Sequence, residues 1–197
     1  MTVLTGLFAQ LPGIENLSAD EIIRWLNKSY DPKVIENYLG NRVIYPQSIA
    51  LTNEEKLIDR AIIQEYISKN PSFFYNPLSH RILVPLELLH RIQPTTDLMI
   101  MLCSLLQIQG VAPIFIGEET SIKNEGAVMA VEPLTAEKNI SILINGKETV
   151  VENNKIYHFS VEDQHIKVKV DGANEIMIQG GKLGLTIDLR KKTGGRM

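Results

Sequence analysis

The sequence predicts an α+β protein whose helices crowd the first part of the chain and whose strands crowd the second. Three observations carry that reading. Two capping boxes and an Asp-Pro start signal fall before residue 60, each leading into apolar residues at helical spacing. Beyond about residue 120 the pattern becomes short strands parted by turn dipeptides, with Asn145-Gly146 the strongest of them. The composition is 44% apolar and 22% charged over 197 residues, globular values in a chain long enough to bury a sizeable core. The expected division is a helical α/β region over 1–120, a small all-β sandwich or barrel domain over 121–190, and a mobile tail over 191–197.

In chain order, Pro12-Gly13 marks a turn. Ser18 to Glu21 is a capping box that opens a short helix through Trp25 and Leu26. Asp31-Pro32 starts a second helix, an N-cap followed by proline at the first helical position, and Gly40 is its expected stop. Thr52 to Glu55 is another capping box. From it Leu57, Ile58, Ala61, Ile62, Ile63, Tyr66 and Ile67 recur at helical spacing to about Lys69. Pro71 and Asn76-Pro77 then interrupt, so the run between them is expected as a loop. Arg81–Val84 reads as a buried strand ended by Pro85. A further helix starts after Pro94, with Thr96 or Asp97 as N-cap, and runs from Leu98 to Ile108 before Gly110 ends it. It is apolar almost all round and therefore needs cover on most sides. Val111–Ile116 reads as a strand.

In the second part Ala127–Val131, Ile140–Ile144, Thr149–Val151, Ile156–Phe159, Ile166–Val170 and Ile176–Ile178 are expected strands. Ile166, Val168 and Val170 alternate with Lys167 and Lys169, which predicts one buried and one wet face. Leu183, Leu185, Ile187 and Leu189 alternate in the same way with Gly184, Thr186, Asp188 and Arg190. Gly180-Gly181-Lys182 lacks the spacing, the following Ser or Thr and the helix of a phosphate loop, and reads as a hairpin turn.

Several classes are disfavoured. The net charge of −3 does not suit a dedicated nucleic-acid binder. No apolar run reaches the ~18 residues of a membrane helix, and no cationic segment precedes Leu4–Ile14 as a secretory signal would require. A cytoplasmic protein is expected. The single cysteine, Cys103, is flanked by apolar residues and reads as core rather than as a reactive thiol. His158, Asp163 and His165 lie close in sequence, but nothing further supports a metal, and a solvated face is the reading for them. No catalytic, cofactor-binding or metal residue is assigned. What stands out is Phe73-Phe74-Tyr75, three aromatics in an expected loop. They are the candidate partner-binding residues, because aromatic side chains are enriched at interface cores.

Three longer segments carry a resemblance. They are Asn41-Arg42-Val43-Ile44-Tyr45-Pro46-Gln47-Ser48-Ile49 ahead of the 52–69 helix; the apolar Leu98–Leu106 run leading into Gln107-Ile108-Gln109-Gly110-Val111; and Gly180-Gly181-Lys182-Leu183-Gly184-Leu185-Thr186-Ile187-Asp188-Leu189-Arg190. In this order and spacing, from about residue 20 to 190, the chain resembles the carboxy-terminal half of the glutamate mutase L family, accessory proteins of cobalamin-dependent mutases. The resemblance implies a partial actin/Hsp70-like (ribonuclease H-like) ATPase lobe followed by the small β-domain. It also carries departures. The lobe bearing the family's phosphate-binding loops has no counterpart here. Val84-Pro85-Leu86 stands where the family has a Gly-Gly turn, so neither a close backbone approach nor a second N–H is available. Lys191-Lys192 replaces the Gly-Arg that follows the matched Arg190.

The function expected from these readings is non-catalytic protein binding or assembly, an accessory or chaperone-like role derived from an ATPase-like family. The alternative is half of a split or truncated actin-like ATPase, with ATP bound only when a separate chain supplies the first lobe. A protein partner is expected (a mutase subunit or an ATPase-like chain), self-association is possible, and neither nucleic acid nor membrane is.

Overall fold

The structure is a computed structural model that describes residues 11–76, 78–117, 123–132, 137–171 and 173–190. Both capping boxes form, with the Ser18 and Thr52 hydroxyls accepting from the N3 amides and Glu21 and Glu55 reaching back. Ser18 caps α1 (Ala19–Ile23), which is shorter than expected. Trp25 and Leu26 continue it only as tighter i→i+3 turns. Asp31 caps α2 (Pro32–Ile44). Gly40 does not stop this helix. Ile35, Leu39 and Arg42 lie on one face and are buried, and that packing outweighs the ~1 kcal/mol that an interior glycine costs. Thr52 opens α3 (Asn53–Lys69), which ends where the sequence indicated.

The expected 71–77 loop is instead one helical turn, α4 (Pro71–Phe74), running into a two-residue strand, β1 (Tyr75–Asn76). Next come β2 (Arg81–Val84), then α5 (Leu86–Arg91), which the sequence reading did not resolve, then α6 (Thr95–Leu105). The N-cap of α6 is Pro94 rather than Thr96 or Asp97. Asp97 sits in the first turn, where it accepts from Arg60 of α3 at 2.8 Å. α6 also ends earlier than expected, because Gln107 takes a left-handed conformation that turns the chain into β3 (Gly110–Ile116). The remaining strands are β4 (Lys123–Ala130), β5 (Asn139–Ile144), β6 (Lys147–Glu152), β7 (Ile156–Phe159), β8 (His165–Val170), β9 (Ile176–Gln179) and β10 (Leu185–Asp188). Asn145 and Gly146 both have positive φ between β5 and β6, as a type I′ hairpin requires.

Two sheets result. One has six strands in the order β1-β2-β3-β4-β10-β7 and the other four in the order β6-β5-β8-β9. The expected boundary near residue 120 falls in a connection outside the described residues, and it does not separate the sheets. The six-stranded sheet takes β1, β2 and β3 from one side of it and β4, β7 and β10 from the other, with β3 and β4 antiparallel neighbours. The mobile tail expected over 191–197 lies outside the described residues.

The arrangement is three-layered. In β4, Val128 joins the core formed with the helices, while Ala127 and Met129 join the core formed with the four-stranded sheet. The two sheets share a core, but they are not the self-contained all-β domain expected over 121–190, because the six-stranded sheet takes β1, β2 and β3 from the first part and floors the helical layer. β10 corrects an expectation for the same reason. All four of its residues are buried, including Thr186 and Asp188, because it lies between β4 and β7 and both of its faces are covered. Gly180–Gly184 is likewise no hairpin turn, since it links β9 of one sheet to β10 of the other. α6 packs against α3, β7 and β10, which gives its apolar surface the cover it needs, with Cys103 buried as expected.

His158 on β7 is half-buried rather than on a solvated face, with Nδ1 3.0 Å from the Thr186 hydroxyl. Burial holds its pKa below the ordinary 6.5. The unfolded chain therefore takes up a proton there more readily than the folded one. The neutral ring's contribution is whole above 6.5 and is lost as pH falls below it. Denaturation midpoints compared at about pH 7.5 and about pH 5.5 should show a loss at the lower pH, part of which His158→Gln removes. An identical pH dependence in the variant would contradict this account.

Candidate functional site

The most organised polar cluster lies beneath the loop that joins α2 to α3. Asp59 of α3 is only 3% exposed and is held from two sides. Arg42 Nε of α2 donates to its Oδ1 at 2.9 Å, and Arg91 Nη1 of α5 donates to its Oδ2 at 3.2 Å. The Tyr38 hydroxyl donates to Oδ1 at 2.9 Å. Burial pushes the Asp59 carboxyl above its ordinary value, against the pull of the two guanidinium groups and the Tyr38 hydroxyl. Burial likewise pushes the Arg91 guanidinium down, against the pull of Asp59.

The same arginines hold the loop. Arg91 Nη2 donates to the carbonyls of Pro46 at 3.1 Å and Ser48 at 3.0 Å, and Arg42 Nη1 donates to the Ser48 hydroxyl. At the far end, Leu51 N donates to Glu55 Oε2 of the capping box at 2.6 Å. The loop is thus fixed by charge-assisted bonds from below. Several apolar side chains of this segment are exposed. Ile49 is 76% exposed and Leu51 86%, and Val43, Ile44 and Tyr45 beside them are exposed as well. Beside this ridge lies a cavity of about 340 Å³, lined by Ile49, Ala50, Lys56, Glu87, His90 and Arg91 among others. The sequence carried a trace of this site. Arg42, Pro46, Ser48 and Ile49 all belong to the Asn41–Ile49 segment that carries the resemblance, but nothing local showed that its apolar residues would face outward.

The sequence-predicted aromatics lie elsewhere, at the β1 edge of the six-stranded sheet. Phe74 and Tyr75 are buried, and Phe73, at 39% exposed, is the one of the three that offers surface. Phe73, Phe74 and Tyr66 of α3 form a cluster of edge-on rings with centroids 5.0 to 6.2 Å apart, so most of the trio completes a local core. Beside them is a groove of about 560 Å³ whose walls include Phe73, Phe74, Arg81, Leu83 and Phe115. Leu83 and Phe115 are register partners on β2 and β3 and belong to neither buried core.

The other positions singled out from the sequence do not converge. Asp163 accepts from Asn145 Nδ2 at 2.7 Å, away from the His158–Thr186 pair. Trp25 Nε1 donates to the buried carboxylate of Glu65 at 2.7 Å, which fixes α1 to α3. The turn after β2 is Pro85, the N-cap of α5, which makes no side-chain capping bond. Among the described residues no group of three or more His, Cys, Asp or Glu side chains is placed to hold a metal ion, and no helix is long and apolar enough to cross a membrane. No family model, no curated protein and no solved structure matches this chain.

Proposed function

We propose that this protein is a non-catalytic protein-binding module that assembles with its partner through the ridge at the end of α2 and the loop that follows. One observation carries the reading: between residues 43 and 51 five apolar side chains stand exposed, at the end of α2 and on the following loop, which Arg91 holds through the Pro46 and Ser48 carbonyls and Arg42 through the Ser48 hydroxyl. Exposed apolar side chains scattered singly are ordinary, whereas a run of them on a fixed loop is an interface feature. The fixed backbone matters energetically, because a loop that is already ordered loses little further entropy on binding. Burying Ile49 and Leu51 is worth about 1.5–3 kcal/mol each.

The test is affinity capture from native-source lysate with the full chain and with an Ile49→Asp/Leu51→Asp variant. A partner held through the ridge is retained by the first and lost by the second, with binding weakened about 100-fold or more. Identical capture profiles from both chains would remove the ridge from the account. The resemblance to the glutamate mutase L family supplies the partner classes to look for. A cobalamin-dependent mutase subunit fits the accessory role, and an ATPase-like chain that creates ATP binding in the mixture fits the split-ATPase alternative. A second copy of this chain on the ridge would appear as a dimer in sedimentation that the double variant abolishes.

A further inference from the structure

We propose that the groove at the β1–β2 edge of the six-stranded sheet is a second, separate docking site, built for a segment of a partner protein that carries a carboxylate next to an apolar side chain. The charged half of this assignment rests on Arg81. Its guanidinium carbon lies 5.2 Å from the centroid of the Phe115 ring. Stacking of this kind uses the flat face of the guanidinium and leaves its N–H edge open, preorganised for a bidentate carboxylate. The other five described arginines, at 24, 42, 60, 91 and 190, are each ion-paired with an aspartate or glutamate. Arg81 is exposed, and among the described residues no carboxylate lies within ion-pair distance of it.

The apolar half rests on Leu83 and Phe115. They project from the face of the sheet opposite Ile82 and Val84, which are buried against the helices. The residues of the six-stranded sheet that join the second core come from β4, β7 and β10 and from Val111 at the start of β3. Leu83, 42% exposed, is therefore left to line the groove together with Phe73. One cation over an apolar floor does not suit a nucleic-acid backbone, which needs several cations in a row. It suits an acidic residue beside a leucine or an aromatic residue. The inference shares with the ridge only the premise that the chain binds protein, and it concerns a different face.

The experiment is selection of random dodecapeptides displayed on phage against the immobilised full chain, followed by fluorescence anisotropy of the synthetic consensus peptide. The expected consensus has Asp or Glu within two residues of Leu or an aromatic. Arg81→Gln should weaken binding roughly tenfold or more, and Arg81→Lys should recover only part of it, since lysine keeps the charge without the stack or the fork. Ile49→Asp/Leu51→Asp should leave peptide affinity unchanged. Arg81 is exposed, so its variants should keep the wild-type melting curve, and Leu83→Asp offers an independent lesion in the same groove. Failure to enrich peptides above the bare support, or an affinity indifferent to Arg81→Gln, would overturn the assignment. A peptide lost from the ridge variant but not from the groove variants would overturn it too, while leaving the ridge intact. A dimer that Arg81→Gln dissolves would put a second copy in the groove and equally overturn the peptide assignment.

Discussion

Asp59→Ala should cost about 3–5 kcal/mol of folding stability, the usual result of leaving buried charge without its counter-ion. Two guanidinium groups lose the Asp59 carboxylate in that variant, with the Arg42 side chain 6% and the Arg91 side chain 13% exposed. Urea denaturation would read the loss directly, and a change under about 1 kcal/mol would mean that the carboxylate is not the counter-ion its geometry describes. Asp59→Asn sharpens the test. It keeps the shape and an acceptor oxygen but removes the charge, so it should fall between the wild type and the alanine variant. A triple change of Arg42→Met, Asp59→Leu and Arg91→Leu separates two roles of the cluster. Replacing a whole buried ionic group with apolar residues is often neutral or stabilising, so stability should largely return. The loop should not recover, because the bonds from Arg91 to the Pro46 and Ser48 carbonyls are gone. Faster amide exchange over 45–51 in a stable triple variant would show that the cluster serves to shape the ridge.

Gly184→Ala should be the second large loss, roughly 2–5 kcal/mol. Gly184 has φ +65°, and a Cβ there would lie 2.3 Å from the Phe159 carbonyl oxygen. Two costs combine: a left-handed backbone that a side chain resists, and a clash with backbone that cannot swing away. Comparison glycines separate them. Gly146 has φ +80° with open space around it, so Gly146→Ala should show the backbone cost alone, about 1 kcal/mol. Gly181 has no such φ, but its Cβ would meet Glu125 Cα at 2.6 Å, so Gly181→Ala should show the crowding cost alone. Denaturation midpoints that put Gly184→Ala no lower than Gly146→Ala would contradict the close approach. These distances also give the Gly180–Gly184 motif its physical reason. The crossing strand passes so near β4 and the end of β7 that side chains are excluded at several points.

Two of the longer segments singled out in the sequence have structural roles in this fold. Asn41–Ile49 contributes Arg42 and Ser48 to the buried cluster, and Gly180–Arg190 crosses between the sheets and supplies a central strand.

What the sequence determined by itself is what neighbouring residues decide. Ser18, Asp31 and Thr52 set helix starts because their side-chain oxygens reach amides two or three residues on. Asn145-Gly146 set its hairpin because both residues accept positive φ. Alternation in Ile166–Val170 placed β8 with one face buried, because that strand lies in the outer sheet with its lysines in water. The mixed α+β class followed from the same local signals.

Only the tertiary structure decided which surfaces are covered, because cover is supplied by residues far away in the chain. Gly40 stays helical because Leu39 and Arg42 are buried on either side of it. Thr186 and Asp188 are enclosed because β10 lies between β4 and β7 with a layer on each face. Phe74 turns inward because α4 folds back against α3, where its ring meets Tyr66 edge-on. Ile49 and Leu51, as apolar as any core residue in the sequence, face solvent on a loop that Arg91 holds by two backbone carbonyls and Arg42 by the Ser48 hydroxyl, bonds that only the fold brings together.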